Sequence, residues 1–163
     1  MTQILARIGG FEVGDGRKLL LIAGPCVLEN EAHLYGDYPE QCLDIFTHVR
    51  SEKLRMAFDF ANFVSRKMID VYTQAFQPLA PFVSHIHVKD YRPGEKHACL
   101  PGQGAGCVQP ILAELARAGY AGFYTIEPHL AKAGPSGGFS GAENFKRAAG
   151  AFLGLCRQVG MQV

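Results

Sequence analysis

Four residues of this 163-residue chain can each ligate a divalent cation, and they recur at equivalent points along it: Glu29, Asp59, His87 and Glu127. Each stands at or just past the end of an apolar stretch, in "KLLLIAGPCVLE", "LRMAFD", "FVSHIH" and "GFYTIE". Two glutamates, an aspartate and an imidazole form a mixed oxygen and nitrogen set that suits Mn²⁺, Mg²⁺, Co²⁺ or Zn²⁺. Taken singly, each is a polar group where a chain leaves a strand for solvent. Repeated at every strand of the series, the pattern points to one shared site. His85 lies two residues before His87 and so projects to the same side of an extended chain, where it can support or replace it.

The elements that must position these residues alternate. "ILARIGGFEV" (4–13) is two short apolar stretches broken by Gly9-Gly10, which predicts a β-hairpin. "KLLLIAG" is a continuous apolar run ending in glycine, as in a strand buried on both faces. A helix follows, with Asp37 and Glu40 as a capping-box pair, Pro39 in its first turn, and Leu43, Phe46 and Val49 at helical spacing. Strands are then predicted over 54–59, 82–90 and 122–128, and helices over 67–78 and 108–118. A last helix is capped by Ser140 and Glu143 and carries an apolar stripe of Phe145, Ala149, Phe152 and Cys156. Strand–helix alternation of this kind predicts a parallel sheet, and the C-terminal ends of parallel strands are where sites are built.

Composition narrows the function classes. The formal net charge is +1 and 48% of residues are hydrophobic, so neither a nucleic-acid surface nor a disordered chain is indicated. No apolar run approaches the ~20 residues of a membrane helix, and "MTQILARIGG" lacks the features of a signal peptide. The cysteines, at 26, 42, 99, 107 and 156, make no C-x-x-C pair and no disulfide framework, which suits a reducing, cytoplasmic setting. The whole chain, 1–163, reads as a single domain.

The motifs "LRMAFDFANFV", "SHIHVKDYRPG", "PGQGAG", "GFYTIEPHL" and "GFSGAENF" closely resemble the C-terminal half of sugar-phosphate isomerases and epimerases of the xylose isomerase-like TIM-barrel superfamily, which also includes ketose 3-epimerases and endonuclease IV. The resemblance covers about 29–163. It implies a metal held by Glu29, Asp59, His87 and Glu127, a small-molecule sugar or sugar-phosphate substrate, and proton transfer through an enediolate, with Glu29 and Glu127 carrying the proton. Asn30, Asn62, Lys89 and Arg92 are the expected substrate contacts, ahead of His97 and His129. A dehydratase of the same superfamily, acting on a cyclic polyol or dehydroshikimate-like substrate, is an alternative. A half-barrel that binds metal or associates without turnover is another. An endonuclease IV-type hydrolase would need further histidines and a basic surface.

The opening residues resemble a different enzyme. "ARIGGFEVGDGRKLLLIAGPCVLE", about 7–29, is similar to the start of 3-deoxy-D-manno-octulosonate 8-phosphate synthases, in which a hairpin closes the barrel floor and the first strand ends in "IAGPC". By that resemblance Cys26 would be a metal ligand, but the synthase's other ligands and its phosphoenolpyruvate-binding segments have no counterpart here, so residues 1–28 are expected to supply a hairpin and strand rather than a second activity. The fold expected is therefore α/β: a partial TIM barrel, a half-barrel of about four parallel βα units behind a short N-terminal β-hairpin. A full barrel needs eight strands and ~250 residues. Four strands would leave open edges and an apolar inner face, which self-association of two copies into a homo-oligomer would cover.

Overall fold

The computed structural model describes residues 6–8, 11–13, 21–23, 36–130 and 141–162. Glu29, Asn30, Cys26 and Ser140 lie outside those residues. Strands β1 (Ala6–Ile8) and β2 (Phe11–Val13) pair antiparallel, with Ile8 opposite Phe11, as the hairpin reading requires. Strand β3 (Leu21–Ala23) opens a second, parallel sheet of order β3-β4-β5-β6, with β4 at Leu54–Asp59, β5 at Val83–Val88 and β6 at Phe123–Ile126. Sequential strands joined by helices give the winding of a βα barrel, and this sheet is an open portion of one.

The crossovers are α1 (Pro39–Val49), then α2 (Phe60–Ser65) with a π-helical segment Tyr72–Phe76 continuing into α3 (Gln77–Leu79), then α4 (Val108–Arg117); α5 (Ala142–Gln158) follows β6. They pack on one face of the sheet. Phe58 is at the centre of that layer, against Phe60, Phe63 and Phe76 with ring centroids 5.8, 5.1 and 5.3 Å away. Ile86, Val88, Ile111, Leu112 and Leu79 complete it, all essentially inaccessible. Burying a side chain of this size stabilises the fold by about 1.5–3 kcal/mol. A β-bulge, where Met56 pairs Val83 but Ala57 pairs His85, inserts Ser84. The extra residue lets Val83 and Ile86, three apart, both meet the core while His85 and His87 face the other way.

Among the described residues that other face is not the apolar surface expected. The half-exposed His85 and His87 and the exposed Thr125 line it, and Phe123, 45% exposed, is its large hydrophobic group. The core formed by the described residues therefore lies on the helical side.

Three helix readings are also revised. The start of α1 is capped at Tyr38 rather than Asp37: the Gln41 side chain accepts the N–H groups of Gly36, Asp37 and Tyr38, and Asp37 instead pairs with Arg66 at 2.6 Å. Val49 is exposed there, and Phe46 stacks on Phe82. The helix expected over 67–78 is present as one stretch, 71–79, starting four residues late, and a short helix that was not expected, α2, precedes it. Asp59 starts α2 directly from the strand, Lys67 turns in a left-handed conformation, and Asp70 caps a new start through the N–H groups of Tyr72 and Thr73. In α5 the buried stripe is Ala148, Phe152 and Cys156, in steps of four, while Phe145 is exposed.

Candidate metal centre

Asp59 is both the last residue of β4 and the N-cap of α2. Its Oδ1 accepts the N–H groups of Ala61 at 2.9 Å and Asn62 at 3.1 Å, which satisfies two orphan donors of the helix start. With Oδ1 committed, the carboxylate cannot turn, and Oδ2 is fixed toward the polar face of the sheet. Register places His87 opposite Asp59 on one side and Thr125 on the other. Glu127 lies two residues beyond Thr125, and therefore on the same face; its N–H still donates to the Val88 carbonyl at 3.1 Å, so its backbone is held in the ladder.

The result is convergence. His87 Nδ1 is 3.3 Å from Glu127 Oε1 and 4.0 Å from Asp59 Oδ2. One ligand atom from each of Asp59, His87 and Glu127 lies within 4.8 Å of the others, the only such group of three or more among the described residues. An aspartate oxygen, an imidazole nitrogen and a glutamate oxygen at this spacing fit a divalent ion of the kind that mixed N/O sites accept. The fit extends to charge. Lys89 reaches Asp59 Oδ2 at 3.0 Å and Glu127 Oε2 at 3.5 Å, so two carboxylates face one ammonium.

The electrostatics agree. Burial pushes the Asp59 carboxyl above the ordinary aspartate range, and Lys89 and the helix N–H groups do not fully offset it. For Lys89, burial works to lower the ammonium, but Asp59 and then Glu127 outweigh it and hold it above the ordinary lysine value. The cluster is short of positive charge. His85, whose Nε2 is 2.8 Å from Thr125 Oγ1, is held below the usual imidazole range by burial and by neighbouring His87.

Of the residues expected at the site, Asp59, His87, Glu127 and Lys89 come together. Asn62 lies beside them on α2, exposed, donating its backbone N–H to Asp59. Arg92 is engaged elsewhere: its Nε donates to the Gln103 carbonyl at 2.7 Å and its Nη1 meets Glu95 at 3.3 Å. His129, expected only behind the other contacts, has its Nε2 3.9 Å from Glu127 Oε2. One residue escaped the sequence reading. Asp90, fully buried, accepts the N–H groups of Tyr91, Gly102, Gly104 and Gly106 at 2.8–3.0 Å. It fastens the long loop after Lys89 to the end of β5. A Cβ on Gly104 would meet Asp90 Oδ1 at 2.3 Å, and one on Gly106 would meet it at 2.8 Å, so the loop is closed around this carboxylate. The signal was present: an aspartate just after the strand, with glycines at alternate positions 102, 104 and 106 downstream.

A family model described as a xylose isomerase-like TIM barrel matches residues 24–151. No curated protein matches the sequence. Among solved structures, a xylose isomerase domain protein from Planctomyces limnophilus is similar, with a TM-score of 0.55 and 24% identity over 75% of this chain. The matched part is 44% of that protein's length, so this chain corresponds to less than half of it.

Proposed function

This chain belongs to the xylose isomerase-like TIM barrel family, and from that premise we propose that it is a metal-dependent isomerase or epimerase of a sugar or sugar phosphate. The observation that carries the reading is the convergence of Asp59, His87 and Glu127 from three neighbouring strand ends onto one ligand-sized space. Asp59 Oδ2, His87 Nδ1 and Glu127 would hold the ion, with Glu29 as the fourth ligand. A divalent ion there supplies the positive charge that makes the hydrogen beside a substrate carbonyl acidic.

The protein's own part is proton handling and orientation. Glu127 has a side chain 27% exposed, open enough to meet a substrate, and is flanked by His87, Lys89 and His129. It takes or returns the proton on one face, and Glu29 serves the other. Lys89 supplies a cation to substrate oxygens, with Asn62 beside it and Asn30 as a further contact, while Arg92 stays on Gln103 and Glu95. Residues 7–29, with their synthase-like motif, serve as hairpin and first strand. The thiols of Cys42, Cys99, Cys107 and Cys156 are free, and no helix among the described residues is long and apolar enough to cross a membrane; a cytoplasmic setting goes with both. Two copies, associated through their open sheets, would enclose the site.

The test is solvent deuterium exchange. A panel of ketoses and ketose phosphates is incubated in D₂O with Mn²⁺ and the protein. Incorporation beside the carbonyl is expected, falling by ~10²–10⁴-fold in Glu127→Gln. One observation favours a second reading, a metal-binding half-barrel without turnover: the parallel sheet of the described residues has four strands where a barrel has eight. Metal binding with no exchange on any substrate would select it.

A further inference from the structure

Lys89 contacts the same two carboxylates that would bind the metal. Its Nζ lies 3.0 Å from Asp59 Oδ2, the oxygen of that carboxylate left free by the helix cap, and 3.5 Å from Glu127 Oε2. The side chain is only 17% exposed, so this is a sheltered ion pair rather than a loose surface contact. A divalent ion ligated by Oδ2 sits about 2.0–2.2 Å from it. The ammonium cannot keep its own place on that oxygen at the same time: the two cations would be separated by a few ångströms in a partly desolvated pocket, where repulsion is strong. Lysine is suited to leave, because its charge is carried on a flexible four-carbon stem. No other ammonium or guanidinium is paired with Asp59 or Glu127 among the described residues.

We propose that Lys89 is a built-in competitor for the metal: its ammonium neutralises the Asp59–Glu127 pair, sets the affinity of the site by having to be displaced, and swings on displacement into the space a substrate would occupy. This rests on the metal reading above but goes beyond it, because it assigns Lys89 an effect on metal affinity opposite to that of a supporting residue. A lysine that merely braces the site would, when removed, leave metal binding unchanged or weaker. A competitor, when removed, leaves it stronger.

The experiment is Mn²⁺ titration by calorimetry of the whole chain and of Lys89→Met, which keeps length and apolar stem, with folding of each checked by circular dichroism. The variant is expected to bind Mn²⁺ about tenfold more tightly. A second measurement needs no variant. The acetylation rate of each lysine in the unaltered protein is followed by mass spectrometry with and without saturating Mn²⁺, with the exposed Lys53 and Lys96 as references. Lys89 is expected to be slow without Mn²⁺ and several-fold faster with it, while the references do not change. Equal or weaker binding by Lys89→Met, or a Lys89 labelling rate unmoved by Mn²⁺, would overturn the competition while leaving the metal site standing. Absence of Mn²⁺ binding in both proteins would remove the metal reading and this inference together.

Discussion

Asp59 and Asp90 are the buried charged residues of the described protein, 5% and 0% exposed, and they stand at the ends of neighbouring strands. They differ in what the backbone leaves over. Asp90 accepts four N–H groups, two on each oxygen, and closes a loop around itself. Asp59 accepts two, both on Oδ1, and presents Oδ2 to Lys89 and His87. A carboxylate whose lone pairs are consumed by the backbone is architecture. One with an oxygen held fixed and unclaimed by the backbone is a ligand in waiting, and desolvation makes it seek positive charge.

The largest effect expected is at Asp90. Asp90→Ala removes the acceptor of four loop N–H groups, that of buried Gly106 among them, and should lower the unfolding free energy by at least about 3 kcal/mol, read from urea denaturation. Asp90→Asn should be only partly better, because either amide orientation turns an NH₂ toward two glycine or loop N–H groups. Stability of Asp90→Asn equal to that of the parent would break the contrast. Gly104→Ala attacks the same clamp from the loop side and is expected to cost about 1–3 kcal/mol, since its Cβ would fall 2.3 Å from Asp90 Oδ1 and 2.5 Å from the Tyr91 carbonyl.

Asp59→Asn should behave in the opposite way. Asparagine caps helices as well as aspartate does, so stability is expected to change by no more than about 1 kcal/mol in the same denaturation assay, while Mn²⁺ affinity falls at least about tenfold. The smallest effect calibrates the scale. Gly150 lies within α5 with nothing within 4 Å of a Cβ, and Gly150→Ala should stabilise by about 0.5–1 kcal/mol with no change in metal binding.

The sheet was legible because its strands are short apolar runs with one polar residue at the end. β4 falls at 54–59 as expected, and β5 and β6 differ from expectation only by their frayed ends. The convergence of Asp59, His87 and Glu127 follows from the same pattern, since parallel strands in sequential order bring their C-terminal ends side by side. What the pattern concealed is tertiary. Asp59 serves as strand end and helix cap at once, so the helix begins at Phe60 and the next must restart at Asp70. Gln41, not Glu40, folds back over the start of α1, because Asp37 is drawn to Arg66. The polarity of the open face could have been read from His85, His87 and Thr125 by strict alternation; it was obscured by the bulge at Ser84, which shifts the phase of β5. Asp90 is not legible as a clamp because three of its four partners lie 12 to 16 residues downstream.

Everything proposed for this site depends on Asp59, His87 and Glu127 forming one metal centre. The most direct measurement is Mn²⁺ binding followed by electron paramagnetic resonance on the parent, Asp59→Asn and Glu127→Gln, each verified as folded. About one tightly bound ion per chain is expected in the parent, with a large loss of bound signal in both variants. Retention of that signal by Asp59→Asn and Glu127→Gln, or no bound Mn²⁺ in the parent, would contradict a shared centre.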